Sequence, residues 1–418
     1  MPRQNQSVTT DANTAGERSQ EYAEQLWGGH TGRLLLSLSL AWATLQTGRF
    51  LLSPLLPTII SDLGLTEATA GVALGMLQLM YAATQFPSGR ISDRCDRPAM
   101  VVGGIAVLIV AFVLFAGATS PAVFLLSVVT LGVGKGLFAV PSRAQLSDLF
   151  VEKRGQALGV YSAGTDVGGL LASVIGVIVT GGTILGLQWL TISVSWRVAF
   201  VPVIVALVFV AGAYVAWNRE PYQVGLPQSG LFSTLRRLAT TSAQREALLA
   251  FSLFSFVVGA WVNFLPAYLV ATKGFSEATA AGVFAVGFIV GFFAKPAAGR
   301  VADRTQRRSV AVAGLLIAAA GLGGVVVAQQ LPVVIAAIAV YSLGYKAVFP
   351  VVDVLLLDAA PDATVGGDLG AARAVFLGVG AVGPVYLGWT VDTVGYRAGF
   401  LGLGVSLLVA AVVLARGL

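Results

Sequence analysis

Gly89-Arg90-Ile91-Ser92-Asp93-Arg94-Cys95-Asp96-Arg97 and Gly299-Arg300-Val301-Ala302-Asp303-Arg304-Thr305-Gln306-Arg307 are the two stretches on which the reading of this chain turns. They share Gly-x-x-x-Asp-Arg-x-x-Arg and stand 210 positions apart (303 − 93). Their surroundings repeat at the same offset. Thr66-Glu67-Ala68-Thr69-Ala70 returns as Ser276-Glu277-Ala278-Thr279-Ala280, and Asp148 returns as Asp358. Ser195-Trp196-Arg197-Val198-Ala199-Phe200 is echoed by Gly395-Tyr396-Arg397-Ala398-Gly399-Phe400. The chain is two copies of one unit.

The nature of that unit follows from composition. Of 418 residues, 56% are hydrophobic and only 11% charged, and the mean hydropathy is +0.83. A water-soluble domain carries roughly 25% charged residues, so much of this surface meets lipid. A helix needs about 20 apolar residues to cross the hydrocarbon core. Twelve such runs are present, near 34–60, 69–89, 98–118, 121–147, 155–182, 197–217, 246–271, 278–298, 309–329, 332–357, 369–390 and 397–415. Strands of a membrane barrel would be about 10 residues long with strict alternation, and no such pattern occurs. The expected fold is an all-α membrane protein, twelve transmembrane helices in two six-helix bundles. Because six spans separate equivalent points, both copies enter the membrane from the same side, which gives a parallel pseudo-two-fold repeat.

Loop charges orient it. Arg197, Lys273 and Arg397 are the loop cations of one side, whereas the other carries Arg90, Arg94, Arg97, Lys153, Arg154, Arg300, Arg304, Arg307 and Arg308 among others. The positive-inside rule then places both termini in the cytoplasm, in a multi-pass protein of the cell membrane. Residues 1–32 read as a disordered cytoplasmic tail without the apolar core of a signal peptide. The two bundles are expected at 33–217 and 246–418, and the polar stretch 218–245, broken by Pro221, Gly225, Pro227 and Gly230, reads as a cytoplasmic linker. The basic balance is accounted for by these loops and implies no nucleic acid. Cys95 and His30 are the only residues of their kinds, which excludes a disulfide framework and a Cys- or His-rich metal site. No cofactor is expected.

The paired Gly-x-x-x-Asp-Arg-x-x-Arg loops, each after the second span of a six-span unit, resemble the signature loop of the major facilitator superfamily over essentially all of 33–418. Asp96 and Gln306 stand where that family usually has glycine. The resemblance implies a secondary transporter working by alternating access. It also implies a cytoplasmic gate built from Gly89, Asp93, Arg94, Arg97 and Asp148 in one half and Gly299, Asp303, Arg304, Arg307 and Asp358 in the other. Physically, a carboxylate at a helix end can face the positive end of a neighbouring helix, and Arg97 and Arg307 can reach Asp148 and Asp358. The competing reading is that these residues only anchor topology.

Within the bilayer, ionisable groups cost about 2.5–3.5 kcal/mol each on insertion scales and persist only with a partner or a wet cavity. Here they are Arg49, Lys135, Asp166, Lys295, Lys346 and Asp353. Four cations against two anions point to a substrate bearing negative charge. Trp42, Gln46, Arg49 and Ser53 share one helical stripe, as do Gln78, Tyr81 and Gln85, and Ser162, Asp166 and Ser173. The candidate substrate residues are therefore Arg49, Gln46, Lys135, Asp166, Lys346 and Asp353. Lys346 and Asp353, seven apart on one face, can equally pair with each other, and Lys295 can snorkel to the interface. Gly48-Arg49-Phe50 through Pro57, with Gly132-Val133-Gly134-Lys135-Gly136, resembles the organic-anion symporter branch of the superfamily. Gly164-Thr165-Asp166-Val167-Gly168-Gly169 has threonine where the drug/proton antiporters have proline, which argues against that branch.

The functional expectation is a secondary active transporter of a small organic, preferentially anionic solute, acting as a single chain in the bilayer and coupled to protons or sodium ions. Efflux of amphipathic drugs is the alternative. A channel or receptor is the rival of another class, disfavoured by the six-span repeat. A membrane enzyme would need clustered nucleophiles or metal ligands, and a phosphate loop for ATP is absent.

Overall fold

A computed structural model describes residues 25–92, 97–181, 183–184, 187–188, 195–219, 242–358 and 365–416. The first half comprises α1 (Gly29–Leu51), α2 (Leu56–Leu63), α3 (Glu67–Ser92), α4 (Arg97–Ala116), α5 (Pro121–Leu149) and α6 (Arg154–Thr180). A two-stranded antiparallel hairpin, β1 (Thr183–Ile184) and β2 (Leu187–Gln188), and a 3-10 turn at Trp196–Phe200 lead into α7 (Val201–Trp217). The second half comprises α8 (Ser242–Lys273), α9 (Glu277–Arg304), α10 (Arg307–Val327), α11 (Leu331–Asp358), α12 (Val365–Gly380), α13 (Val382–Thr393) and α14 (Tyr396–Ala415).

Two spans are broken, each for a readable reason. Pro54 cannot donate a backbone hydrogen bond and its ring opposes the carbonyl four residues back, so α1 stops at Leu51. Pro57 at the start of α2 suits a first helical turn, and Gly64 ends α2 in the left-handed conformation, φ 62°. In the same way Gly380 and Pro384 flank the break at Ala381 between α12 and α13. Counting α1–α2 and α12–α13 as single spans gives twelve. Among the described residues ten helical stretches are long and apolar enough to cross a membrane, Arg373–Thr393 across the α12–α13 break being one of them; α2 and α3, bent by 118°, form a further apolar pair. The polar stripe of α1 makes the first span less apolar than the rest. Outward-facing Phe209 and Phe293 are 74% and 68% exposed, a placement that suits lipid.

The repeat is visible in capping and in packing. Thr66 Oγ1 accepts from the Thr69 N–H at 3.1 Å, and Ser276 Oγ accepts from the Thr279 N–H at 3.1 Å. Equivalent residues thus satisfy equivalent orphan donors. Numbering the spans one to twelve, span 1 packs on 5 and 6, span 2 on 4, and span 3 on 4 and 6. Span 7 packs on 11 and 12, span 8 on 10, and span 9 on 10 and 12. The halves meet where span 2 packs on 11 and span 8 on 5. Exchanging each span with the one six later maps this pattern onto itself, which is the pseudo-two-fold. Close approach at these interfaces requires glycine. A Cβ on Gly71 would strike the Pro384 carbonyl, and one on Gly169 the ring of Phe288.

The termini face differs in detail from the expected boundaries. α1 starts at Gly29, within the stretch read as tail, and α8 at Ser242, within the stretch read as linker. Residues 1–24 and 220–241 lie outside the described residues.

Candidate functional site

Glycines on either side of Asp166 set the site. On α6, Gly164 and Gly168 lie one turn apart and face α1; a Cβ on Gly168 would come within 2.6 Å of the Ala43 carbonyl and 2.7 Å of Gln46 Cβ. Thr165 accepts a hydrogen bond from the Trp42 indole N–H at 2.8 Å. Span 5 is thereby locked against span 1, and Asp166 turns to the other half of the molecule.

There it meets two lysines. Lys346 Nζ on α11 donates to Asp166 Oδ1 at 2.8 Å, and Lys295 Nζ on α9 donates to Oδ2 at 2.5 Å. The Asp166 and Lys346 side chains are 2% and 4% exposed, Lys295 25%. This geometry bears on two sequence readings. Lys295 turns inward to Asp166 instead of snorkelling to the interface, and the Lys346 ammonium is engaged by Asp166 of the opposite half. A carboxylate with both oxygens charge-paired outcompetes a wet interface for a lysine within reach. Gly291 makes the space: a Cβ there would lie 2.8 Å from Asp166 Oδ1 and 2.8 Å from Lys346 Cε.

Arg49 occupies the last turn of α1, just before the break, where a cation also suits the negative helix end. It is 7% exposed. Its Nη2 donates to Asn263 Oδ1 on α8 at 3.3 Å, while Asn263 Nδ2 is held by the Gly259 carbonyl at 2.6 Å. The Asn263 amide is therefore oriented with its acceptor towards the guanidinium. The Arg49 guanidinium lies 4.8 Å from the Phe50 ring centroid. Arg49 Nη1, Gln46 Oε1 and Ser53 Oγ are buried without a hydrogen-bond partner among the described residues. Gln46 and Arg49 share one face of α1, and Ser53 follows in the turn after the helix ends at Leu51.

Lys135 on α5, also 7% exposed, faces π-systems: its Nζ is 4.3 Å from the Tyr81 centroid and 5.9 Å from that of Trp42. Trp42 stacks on Tyr161 at 5.2 Å, and Arg143 lies over both rings. Lys135, Arg49 and Arg143 are near enough for their charges to interact. Neither Arg49 nor Lys135 has a carboxylate partner among the described residues. Opposite them, Lys346 lies between Phe288 and Tyr345, 5.0 and 5.2 Å from their centroids. The arrangement is a positively charged, aromatic-walled centre between the two halves. Asn263, Lys295 and Tyr345 were absent from the expected binding set; the equal spacing of polar residues on span 1 gave no hint of what span 7 would offer.

On the termini face, Arg97 Nη1 is ion-paired with Asp148 and donates to the Ala144 carbonyl at 2.8 Å. Arg154 Nε donates to the Ser147 carbonyl at 3.2 Å. In the second half, Arg307 opens α10 and the adjacent Arg308 bonds Glu246 and the Leu414 carbonyl, both at 2.5 Å. Asp93 and Arg94 lie outside the described residues, as do the side chains of Asp303, Asp353 and Asp358. Arg304 ends α9 exposed. A Cβ on Gly89 would meet only Val140, at 3.6 Å, and one on Gly299 nothing within 4 Å, so this conformation does not itself demand glycine there.

On the opposite face the halves are joined. Thr58 Oγ1 donates to Glu277 Oε2 at 3.0 Å, the Ala68 N–H to Asp392 Oδ2 at 2.9 Å, and the Tyr396 hydroxyl to Glu67 Oε1 at 2.8 Å. All three bonds run between the first and second halves. That face is closed.

The sequence matches the family model for the major facilitator superfamily over residues 38–306 and 282–418. It is 25% identical over 408 residues to the hexuronate transporter of Bacillus subtilis, covering 90% of this chain and 92% of that one. It is 29% identical over 392 residues to the chloramphenicol resistance protein of Streptomyces lividans, covering 91% and 94%. Among solved structures it resembles a bacterial homologue of the human lysosomal transporter Spinster, in an inward-facing and unoccupied conformation, with a TM-score of 0.79 at 19% identity over 93% of this chain and 97% of that one. Twelve spans in two six-helix halves, the paired signature loops and these matches agree: the chain belongs to the major facilitator superfamily, a multi-pass membrane transporter and not an enzyme.

Proposed function

We propose that this transporter moves a small organic anion across the cytoplasmic membrane by alternating access, with both termini in the cytoplasm and coupling to a proton or sodium gradient. The observation that carries the reading is Arg49: a buried guanidinium with Nη1 unpartnered and no carboxylate partner among the described residues. Its charge cannot be shed by deprotonation, so it needs a negative group in the cavity. A substrate carboxylate supplies one, with Gln46 on the same face of α1, Ser53 in the turn after it and Lys135 adding a second cation. Asp166, Lys346 and Asp353 complete the expected set around the cavity, Asp166 and Lys346 through the ion triad. The B. subtilis relative's name supports a sugar acid as the first probe.

With the termini cytoplasmic, the closed face is the outer one and the described state is inward-facing. The gate that closes the inner face in the opposite state is assigned to Asp93, Arg94, Arg97 and Asp148 and their counterparts Asp303, Arg304, Arg307 and Asp358. Gly89 and Gly299, in the last turns of α3 and α9, belong to the same assignment. The aromatic walls of Trp42, Tyr81, Phe288 and Tyr345, together with the Streptomyces relative, favour a second reading, export of an amphipathic compound carrying an apolar ring.

The discriminating experiment is uptake of radiolabelled glucuronate into proteoliposomes against a matched chloramphenicol flux assay. Saturable glucuronate uptake, lost in Arg49→Ala, supports the anion reading. Chloramphenicol flux indifferent to Arg49→Ala, without glucuronate uptake, overturns it in favour of the second.

A further inference from the structure

The charges at the centre do not balance, and they are not spread evenly. Arg49 and Lys135 belong to the first half, Lys295 and Lys346 to the second, and Asp166 is the one anion joined to them among the described side chains. Among the described side chains these four cations, with Arg143 beside Lys135, outnumber that single anion. In a medium of low dielectric such charges repel strongly unless water or a counter-charge intervenes. A substrate anion can offset Arg49 and Lys135 on the loaded journey. On the empty journey it is absent, yet the halves must still close around the cavity before the other side opens.

Asp166 is placed to serve that second journey. It sits on the first half and each of its oxygens takes a lysine from the second. The site is built for it: Gly291 withholds the Cβ that would collide with both Asp166 and Lys346, and Gly169, three residues along α6, lets Phe288 of α9 close up beside it. The packing of α6 on α9 is one of the two main seams between the halves. This carboxylate thus lies on the moving interface.

We infer that Asp166 is a built-in counter-anion that stands in for substrate charge at Lys295 and Lys346, so that the empty carrier can occlude and reorient. Net transport, and not compulsory exchange, is then the working mode. The inference rests on the anion-transport reading, but its consequence for the empty protein requires no substrate. Asp166→Asn keeps the shape and removes the counter-charge. The empty carrier is then stalled by four uncompensated cations, while a carrier loaded with anion still crosses. Removing one cation as well, in Asp166→Asn with Lys346→Gln, restores part of the balance. Lys346→Gln alone leaves a neutral Asp166–Lys295 pair and frees the empty carrier.

The test is single-molecule energy transfer between dyes at Ser61→Cys and Thr272→Cys, one on each half of the outer face, in a Cys95→Ser background in lipid nanodiscs without substrate. The wild-type centre is expected to switch between two distances. Asp166→Asn should lengthen the dwell times at least tenfold. The double variant should return them to within about threefold of wild type, and Lys346→Gln should leave them within about threefold. If Asp166→Asn cannot be purified folded, the Lys346→Gln dwell times decide: a tenfold slowing there means that the triad is a structural pin and overturns the inference. Unchanged dwell times in Asp166→Asn, or an empty wild type that never switches, overturn it as well. In parallel, in vesicles loaded with radiolabelled glucuronate, the ratio of net efflux to exchange against external glucuronate should fall at least tenfold below that of wild type in Asp166→Asn. Equal loss of both fluxes overturns the inference. Absence of any wild-type glucuronate flux, with dwell times as expected, refutes that substrate class and leaves the counter-anion role intact.

Discussion

Tyr396 donates its hydroxyl to Oε1 of Glu67 at 2.8 Å, a bond that joins the first residue of α14 to the first residue of α3 across the two halves. Next to it, the Asp392 carboxylate of the second half accepts the Ala68 N–H of the first. A carboxylate at a helix N-terminus meets both free N–H groups and the positive end of the helix dipole. The repeat supplies a related bond elsewhere: Glu277, the counterpart of Glu67, accepts from Thr58. Three hydrogen bonds to carboxylates thus join the halves on the face opposite the termini, the outer face in the proposed orientation.

Tyr396→Phe removes one of these bonds without changing the ring packing against Tyr268. A hydrogen bond to a charged group contributes about 1.5–3 kcal/mol, so the closed outer face should lose roughly tenfold or more in population relative to the outward-open state. The check is the rate at which a membrane-impermeant maleimide, added from outside, labels Ser53→Cys in a Cys95→Ser background. A rate equal to that of the Tyr396-containing control would mean that the bond does not bear on the gate.

Arg97 and Asp148 make the contrasting case. Their side chains are 26% and 60% exposed, and an ion pair so open to water contributes about 0–1 kcal/mol. Asp148→Asn should therefore leave the melting temperature within about 2 °C of wild type and still slow glucuronate turnover severalfold, because its proposed task lies in the opposite, inner-closed state. A large loss of melting temperature with normal turnover would make the pair a structural staple.

How far the sequence could be read depended on what each feature needs. The spans, their count and the parallel repeat were legible because crossing lipid demands about 20 apolar residues and internally satisfied backbones. The Gln46–Arg49 pair was legible because helical periodicity puts residues three apart on one face, whereas Ser53 lies in the turn after α1 ends at Leu51. The Asp166 triad was not. Lys295 and Lys346 come 129 and 180 residues later, and within its own helix Lys346 had a plausible partner in Asp353. Only the meeting of spans 5, 8 and 10 at the half–half seam brings both lysines to Asp166. The Asn263 contact was illegible for the same reason.

Glycines offer a test of packing that is independent of transport. Gly168 lies against α1 with no room for a methyl group, since a Cβ there would fall 2.6 Å from the Ala43 carbonyl, whereas a Cβ on Gly212 of α7 would meet nothing within 4 Å. Overpacking typically costs about 1–3 kcal/mol, while Gly→Ala in an open helical position gains up to about 1 kcal/mol. Gly168→Ala should lower the melting temperature in detergent, and Gly212→Ala should leave it unchanged or raise it. Equal melting temperatures for the two variants would contradict the tight seam between spans 1 and 5.

Arg49 carries the substrate reading, and charge can be separated from shape there. The guanidinium offers five donors in a planar fork, of which Nη2 is directed to Asn263 and Nη1 has no partner among the described residues. A substrate carboxylate would take the free edge of the fork, a geometry an ammonium cannot reproduce. Arg49→Lys should weaken glucuronate binding by about tenfold, the scale of one charge-assisted hydrogen bond. Arg49→Ala should weaken it by about a hundredfold or more, since the charge is lost as well. Isothermal titration of purified protein with glucuronate separates the two, and acidic competitors should displace glucuronate while neutral glucose should not. Equal affinity in wild type and Arg49→Ala would remove Arg49 from the binding site and with it the reason for an anionic substrate.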